Sequence, residues 1–296
     1  MLRRSFLIIL FSSLLFIGIF TFMYRPKDTL WMLQSQSKAQ MLSSVIITQK
    51  GNLIVIDGGW EEDGSYLLKK CRDNGGHVSA WLLTHPHEDH VGALYDILKN
   101  HKSEIQIDHI YYSFDTPEWY HNAAPEHEGM AGPLIEEFNK LPAEVLDSSI
   151  GQGSQIQVDD VKIQVMNNRY SLDVNPVNNS SLVYQLTIKD KKLLFFGDLA
   201  YEGGEKLLET YTNGELKSDI VQMAHHGQQG VGQEVYQAVS PTICLWPTPE
   251  FLWNNDNGGG ENSGPWTTLE TRRWMEQLGV SENLCIKDGD IKLTFE

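Results

Sequence analysis

The chain has 296 residues, of which 41% are hydrophobic and 21% are charged, and its formal net charge is −16. No low-complexity tract interrupts it, so the composition is that of a globular protein long enough to bury one large core. Residues 1–28 hold four basic residues and one acidic residue, which leaves the rest of the chain with a net charge of −19. A domain this acidic repels polyanions, which disfavours unaided binding to long nucleic acid.

An apolar stretch occupies residues 6–24 and is preceded by two arginines. A helix of this length nearly spans a hydrocarbon core of about 30 Å, and no small-x-small cleavage site follows it. We therefore expect residues 1–28 to form an uncleaved transmembrane signal anchor in the cell membrane, followed by a linker at 29–40. The domain at 41–296 would then be extracellular; secretion after signal cleavage is the alternative. No feature of the sequence indicates a protein partner.

The first half of the domain is predicted to be strand-rich with interspersed helices. Apolar, β-branched runs at 41–48 and 53–56 are joined by a Lys-Gly-Asn turn, which is typical of a hairpin. The second run ends at Asp57. Residues 101–130 lack periodicity and are predicted to pass over the face of the domain that carries the functional site. The other predicted elements are a helix at 64–74, a buried strand at 78–83 and helices at 89–100 and 133–140.

The second half repeats this alternation of strands and helices. The predicted elements are strands at 155–158, 161–166, 181–188 and 192–196, a helix at 202–211, a strand at 219–223, a helix at 233–239 and a strand at 242–246. A Trp, Asn and Gly-rich loop at 247–266, a helix at 267–278 and two short strands complete the chain. Together the two halves predict one α/β domain, with two mixed β-sheets sandwiched between helices.

Three histidines and an aspartate lie within six residues, at 85–90, directly after the predicted buried strand. With 10 histidines in the chain, an H-x-H-x-D-H run arises by chance in roughly one such chain in a thousand. Residues two apart in an extended turn project to the same side, so His85 and His87 can bind one cation together. Asp89 and His90 then enter the helix, where they can face a second cation. Imidazole and carboxylate ligands suit zinc, manganese or iron, and two such ions support hydrolysis.

Further candidate ligands follow two later strands. Asp198 lies just after the strand at 192–196, and His225 and His226 follow the strand at 219–223. Ligands in α/β sheets usually bind just beyond the strand ends. These side chains therefore join the first motif in predicting a hydrolytic site for two metal ions.

These motifs together resemble the metallo-β-lactamase superfamily over residues 41–296. The matching segments are 57–59, 84–92, 196–198 and 224–227. The resemblance implies an αββα sandwich fold and two divalent ions, expected to be Zn²⁺ with Mn²⁺ or Fe²⁺ as alternatives. The ligands it implies are His85 and His87 at the first ion, Asp89, His90 and His225 at the second, and Asp198 bridging both.

The resemblance also implies roles in catalysis and support. Asp89, Asp198 and His226 are the expected catalytic residues: a hydroxide held against Asp198 attacks the substrate, and His226 contacts the substrate or donates a proton. Asp57 is expected to support the ligand loop.

Three other residues are candidate substrate contacts. Trp246 and Trp253 flank or occupy the loop at 247–266, where aromatic rings can stack on a substrate. Packing of the loop onto the core is the alternative. His121 lies in the irregular segment at 101–130 and is also a candidate contact.

The chain departs from the family at one position. The family usually has a further histidine about 19 residues before the bridging aspartate, where this chain has Asn179. Asn179 is either a neutral oxygen ligand, which favours a harder ion such as manganese, or a residue that bridges strands. With Ser-Leu-Val at 181–183 and His-His-Gly at 225–227, it resembles the branch that includes DNA-uptake channel nuclease domains and phosphorylcholine esterases.

This branch resemblance favours phosphoester chemistry. We therefore expect a metal-dependent phosphodiesterase or phosphoesterase that uses a metal-bridging hydroxide on a small-molecule or cell-envelope phosphoester. Hydrolysis of a lactone, amide, thioester or β-lactam by the same hydroxide is an alternative. A metal-binding sensor domain without turnover is the third hypothesis; Asn179 supports it, whereas the complete set of ligands for the second ion argues against it.

Overall fold

Two β-sheets lie face to face at the centre of the protein, and helices cover the outer face of each sheet. The computed structural model describes residues 26–296. The anchor expected from the apolar stretch at 6–24 lies outside the described residues. Within 26–296, none of the helices combines the length and apolar character needed to cross a bilayer.

The first sheet comes mainly from the N-terminal half of the chain. Its strands are β1 (Asp28–Met32), β2 (Ser43–Ile47), β3 (Leu53–Asp57), β4 (His77–Leu82), β5 (Gln106–Ile107), β6 (Ile110–Tyr111) and β7 (Leu146–Asp147). β1, β2 and β3 pair in antiparallel fashion, whereas β3, β4, β6 and β7 are parallel. β5 pairs with the start of β4.

The second sheet comes from the C-terminal half. Its strands are β8 (Gln155–Val158), β9 (Val161–Val165), β10 (Tyr184–Ile188), β11 (Lys191–Phe195), β12 (Ile220–Gln222), β13 (Ile243–Trp246) and β14 (Glu282–Cys285). β8 to β11 are antiparallel and β11 to β14 are parallel. The last strand, β15 (Ile291–Phe295), returns to the first sheet beside β1. The prediction of two mixed sheets is confirmed.

Helices form the two outer layers. They are α1 (Gly64–Asp73), α2 (Glu88–Asn100), α3 (Pro117–Ala123), α4 (Ala131–Phe138), α5 (Pro176–Asn179), α6 (Tyr201–Thr210), α7 (Gln233–Val239), α8 (Glu250–Trp253) and α9 (Thr268–Gln277). Short 3₁₀ turns lie at Glu61–Asp63, Lys102–Glu104, Ala143–Val145, Ala224–Gly227 and Ile286–Asp288. Apolar residues of α1, α2 and α4 pack on the first sheet, and those of α6, α7 and α9 pack on the second. The fold is therefore an αββα sandwich.

Strand β3 shows how the sequence creates these layers. Successive side chains on a strand point to opposite faces. Ile54 and Ile56 pack between the two sheets, whereas Leu53 and Val55 pack against the helices. Because the strand is buried on both faces, its run at 53–56 is continuously apolar rather than alternating.

The parallel strand pairs determine where the loops of the site emerge. β3 and β4 are parallel with Ile56 opposite Leu82, so Asp57 and the loop after β4 leave the first sheet side by side. β11 and β12 are likewise parallel, which places the loops that follow them next to each other on the second sheet. Polar residues distant in sequence therefore meet at the ends of these strands.

Residues 29–40 are not the linker that we expected from the sequence. β1 pairs with both β2 and β15, and Leu30 and Met32 are fully buried. The linker prediction is wrong because one of the two partners of this short strand, β15, lies at the opposite end of the chain and leaves no local signal. The irregular segment at 101–130 and the loop at 247–266 also contain short elements that the sequence did not predict: β5, β6 and α3 in the first and α8 in the second.

We predict that Leu30→Ala lowers the free energy of unfolding by about 2–5 kcal/mol, because it leaves a cavity between the sheets. Thr294→Ala, at an exposed position of the paired strand β15, is the control and is expected to change stability by less than about 0.5 kcal/mol. Denaturant unfolding of both variants measures the difference. Equal stability of the two variants would show that β1 contributes nothing to the domain.

Candidate metal centre

The polar residues of the site lie at the ends of four parallel strands. They are Asp57 at the end of β3, residues 84–90 after β4, Asp198 after β11, and His225 with His226 after β12. The buried members are Asp57, His85, Asp89, His90, Asp198 and His226. Burial of this many ionisable groups is unfavourable unless each finds a partner within the site.

Asp57 ties the loop after β4 to the end of β3. Its Oδ1 accepts a hydrogen bond from the Thr84 backbone N–H (2.8 Å). Its Oδ2 accepts from the Thr84 hydroxyl and from His90 Nδ1, both at 2.7 Å. Because Asp57 engages Nδ1 of His90, Nε2 is the nitrogen that is left to face a metal ion. Asp57 thus fixes the orientation of the candidate ligand His90 and is not itself among the side chains that could hold a metal ion.

The first group of side chains able to hold a metal ion consists of His85, His87 and Asp198. Nε2 of His85 lies 2.9 Å from Nδ1 of His87 and 3.9 Å from Oδ2 of Asp198. The two histidines therefore project to the same side, as their spacing predicts.

The second group consists of Asp89, His90, Asp198 and His226, all buried. His90 Nε2 lies 3.1 Å from Asp198 Oδ1. His226 Nε2 lies 3.1 Å from Asp89 Oδ2 and 3.2 Å from Asp198 Oδ2. The carboxylate of Asp198 thus belongs to both groups.

Three buried atoms in the second group lack a hydrogen-bond partner despite these short distances: His90 Nε2, His226 Nε2 and Asp198 Oδ1. Their angles do not fit hydrogen bonds, and the ligand atoms of the group all lie within 4.8 Å of one another. Unpartnered buried polar atoms are rare in folded proteins. A metal ion would satisfy all three, and nitrogen and carboxylate donors suit Zn²⁺, Mn²⁺ or Fe²⁺. The residues present therefore fit a divalent cation.

Charges within the cluster shift the pKa values of its members. Burial lowers the pKa of His226, but the carboxylates of Asp198 and Asp89 outweigh burial and raise it to about 9. The pKa of His90 is likewise raised, against burial, by three neighbouring carboxylates. Burial raises the pKa of Asp198, yet the adjacent imidazoles hold it well below its usual range. Burial also lowers the pKa of His85.

Of the two adjacent histidines, only His226 lies in the second group. Nδ1 of His226 lies 3.1 Å from the Pro247 carbonyl, which leaves Nε2 to face the second group. Nδ1 of His225 lies 3.1 Å from the Gln229 carbonyl, and the His225 side chain lines the cleft above the site. Both residues have a left-handed φ, of 48° and 55°, which turns the successive rings in different directions. The structure therefore corrects the assignment: His226, not His225, completes the second group.

Asn179 is the last residue of α5, and its side chain caps the start of α6. Its Oδ1 accepts hydrogen bonds from the backbone N–H groups of Ala200 (3.2 Å) and Gly203 (3.0 Å) at the start of α6. Its Nδ2 donates to the Val174 carbonyl (2.8 Å) and to Glu202 (3.1 Å). Both ends of the amide are thus engaged away from the ligands. The possible ligand role is corrected to that of a helix cap.

The three candidate substrate contacts lie away from the ligand groups. Trp246 is fully buried; its indole N–H donates to Asn283 (2.8 Å), and its ring packs edge-on against Trp253 at 5.2 Å between centroids. His121 is exposed and pairs with Glu128 at 2.9 Å. None of the three lines the cleft over the site. The tryptophans pack the loop onto the core, which was the alternative.

A cleft of about 890 Å³ opens over both ligand groups. Besides His87, Asp89, Asp198 and His225, it is lined by Trp266, an aromatic residue of the loop at 247–266, and by Gln40 and Gln228, which the sequence did not indicate. Gln40 donates to Asp89 Oδ2 (3.4 Å), and Gln228 donates to Gln40 (3.1 Å). These residues come from separate segments, and no local pattern marks them before the chain folds.

We predict that the His226→Ala variant retains about half of the divalent metal that the wild type binds, because its second group lacks a buried ligand. His225→Ala is the matched control and is expected to keep its metal. Elemental analysis of both variants after dialysis measures the content. Loss of metal from His225→Ala together with retention by His226→Ala would restore the assignment that the resemblance implies.

Comparison with known proteins identifies one similar curated sequence and many similar structures. ComE operon protein 3 of Bacillus subtilis (strain 168) is 30% identical over 170 residues, which are 57% of this chain and 20% of that protein. The chain thus spans about a fifth of that relative's length.

Two solved structures share the fold at low sequence identity. The metallo-β-lactamase fold protein YhfI from Bacillus subtilis superposes with a TM-score of 0.55 at 10% identity, covering 91% of this chain and 100% of that one. A CmlA β-hydroxylase mutant gives a TM-score of 0.54 at 13% identity, covering 91% and 54% of the two chains. Residues 39–238 also match the family model of the metallo-β-lactamase superfamily. The chain belongs to the metallo-β-lactamase superfamily.

Proposed function

We propose that the protein is a metal-dependent hydrolase of phosphoesters that holds two divalent ions, Zn²⁺ in the first instance, with Mn²⁺ or Fe²⁺ as alternatives. The observation that carries the proposal is the position of Asp198, whose carboxylate is shared by the two ligand groups. A carboxylate shared by two adjacent cation sites is the arrangement that two-metal hydrolysis requires.

Different residues of the chain have different roles in the proposed reaction. When bound, two divalent cations activate water and neutralise the charge that develops on substrate oxygens. Asp198 holds the two halves of the site at a constant spacing, and Asp57 fixes the orientation of His90 through the 2.7 Å hydrogen bond. His225 stands in the cleft wall with its Nε2 3.9 Å from Asp198 Oδ2. It is the histidine placed to contact the leaving group, the role first expected of His226.

The charge of the cleft supports a small substrate over long nucleic acid. Among the lining residues, all within the described part of the chain, there is no lysine or arginine, whereas Glu88, Glu126 and Glu128 line the cleft. Such a surface attracts no second phosphate beyond the one that metal ions would neutralise. A small-molecule or cell-envelope phosphoester fits this charge better than a polyanion does.

The fold alone does not decide the reaction, since one structure with the same fold is named as a β-hydroxylase. The choice of phosphoesters is supported by the sequence resemblance at 178–183 and 225–227 to a branch with phosphoester chemistry. Hydrolysis of a lactone, amide, thioester or β-lactam, and metal sensing without turnover, are the competing outcomes that the following experiment separates.

We predict metal-dependent turnover of a chromogenic phosphodiester or phosphomonoester, and its loss to background in Asp198→Ala. His121→Ala, at an exposed position outside the cleft, is the control and should retain full activity. The wild type is assayed with zinc, manganese and iron on phosphoesters, a lactone, a thioester and a chromogenic β-lactam. Preferential cleavage of a substrate other than the phosphoesters refutes the substrate class, and metal binding without any turnover favours the sensor.

We further propose that residues 6–24 attach the protein to the cell membrane with the domain outside, as their apolar composition indicates. Full-length protein is then expected in the membrane fraction of expressing cells, and a chain that starts at residue 26 in the soluble fraction. Quantitative blotting of both fractions measures this. Full-length protein in the soluble fraction of the cells would contradict the attachment.

A further inference from the structure

Gln222, the last residue of β12, is almost fully buried and makes four hydrogen bonds with its side chain. Its Oε1 accepts from the backbone N–H groups of Phe196 (2.8 Å) and Gly197 (2.9 Å). Its Nε2 donates to the carbonyls of Gly197 (3.0 Å) and Met223 (2.7 Å). The amide therefore joins the loop that carries Asp198 to the loop that carries His226.

These bonds replace backbone pairing at the point where two strands separate. β11 and β12 pair at Leu193 with Ile220 and at Leu194 with Val221, and the pairing ends there. The peptide groups just beyond β11, at Phe196 and Gly197, are buried and need partners. The Gln222 side chain supplies those partners while both chains diverge towards the metal ligands.

Gly197 is held from three sides. Its φ is 58°, and a Cβ at this position would lie 2.6 Å from Cβ of Thr84, in the loop of the first motif. Its carbonyl accepts a hydrogen bond from the His225 backbone N–H (3.1 Å) in addition to the one from Gln222. Gly197 is therefore fixed against the two other ligand loops, and Gln222 makes two of the three hydrogen bonds of its backbone N–H and C=O.

We propose that Gln222 is a positioning residue that sets the relative placement of Asp198 and His226, and thereby the metal affinity of the second group. The inference rests on the proposed metal-dependent function. Gln222 does not line the cleft, and all four of its side-chain hydrogen bonds are to the backbone of the two loops rather than to a ligand side chain. Groups that orient ligands in this indirect way typically change metal affinity or activity by roughly 10- to 100-fold when they are removed.

Gln222→Met tests the proposal, since methionine keeps the length of the side chain but makes none of the four bonds. We expect the dissociation constant for Zn²⁺ or Mn²⁺, measured by competition with a chromogenic chelator, to rise by about 10- to 100-fold. The matched control is Gln185→Met. Gln185 is also buried in the second sheet and donates to the Glu215 carbonyl (3.0 Å) and to Ser218 (3.1 Å), away from the ligands. This control should lose thermal stability and keep the metal affinity of the wild type.

Gln222→Asn is a milder second variant for the case that Gln222→Met does not fold. It retains the amide but withdraws it by one methylene, and it should weaken metal binding in the same direction. Wild-type metal affinity in either folded variant overturns the proposal, as does equal weakening in Gln185→Met. Failure of both Gln222 variants to fold also overturns it, since the residue would then serve the fold alone. A wild type that binds no metal refutes the proposed function instead.

Discussion

The burial of the Asp198 carboxylate beside three buried histidines and a second aspartate is the constraint on which the rest of the site depends. An isolated carboxylate is strongly destabilised inside a protein, and buried charges persist when they are paired or bind metals. Here Oδ1 of Asp198 has no hydrogen-bond partner, and neither have the imidazole nitrogens of His90 and His226 that approach the carboxylate. A protein that only needed stability would gain from apolar residues at these positions. The arrangement is instead that of a cluster completed by cations.

The backbone near the cluster is strained and closely packed, and this brings the metal-ligand side chains together. His225 and His226 both have a positive φ, and such conformations cost of order 1–3 kcal/mol each. The strain is offset by specific bonds: the Thr248 hydroxyl donates to the His226 carbonyl (2.7 Å), and His226 Nδ1 meets the Pro247 carbonyl. Asp57 and Gln222 hold the other ligand loops through hydrogen bonds to their backbone N–H groups. The ligands are thus positioned by backbone contacts from both sheets rather than by one loop.

Much of this architecture is predictable from the sequence because its signals are local. The run at 85–90 follows a buried strand, and Asp198 follows another, so strand ends alone bring these residues together. The apolar run at 53–56 likewise identifies a strand buried on both faces.

What the sequence could not predict depends on contacts between distant segments. The choice between His225 and His226 is set by the carbonyls of Pro247 and Gln229, and the amide of Asn179 is engaged by α6. β1 lies between β2 and β15, and β15 comes from the other end of the chain. Gln40 and Gln228 reach the cleft only in the folded chain. None of these partners is visible in a window of neighbouring residues.

An anomalous difference map from crystals of the protein grown with Mn²⁺ would show directly whether two metal ions share Asp198. We expect two peaks flanking the Asp198 carboxylate, one beside His85 and His87 and the other beside His90 and His226. A map without peaks at Asp198, or with a single ion that Asp198 does not bind, would contradict this expectation.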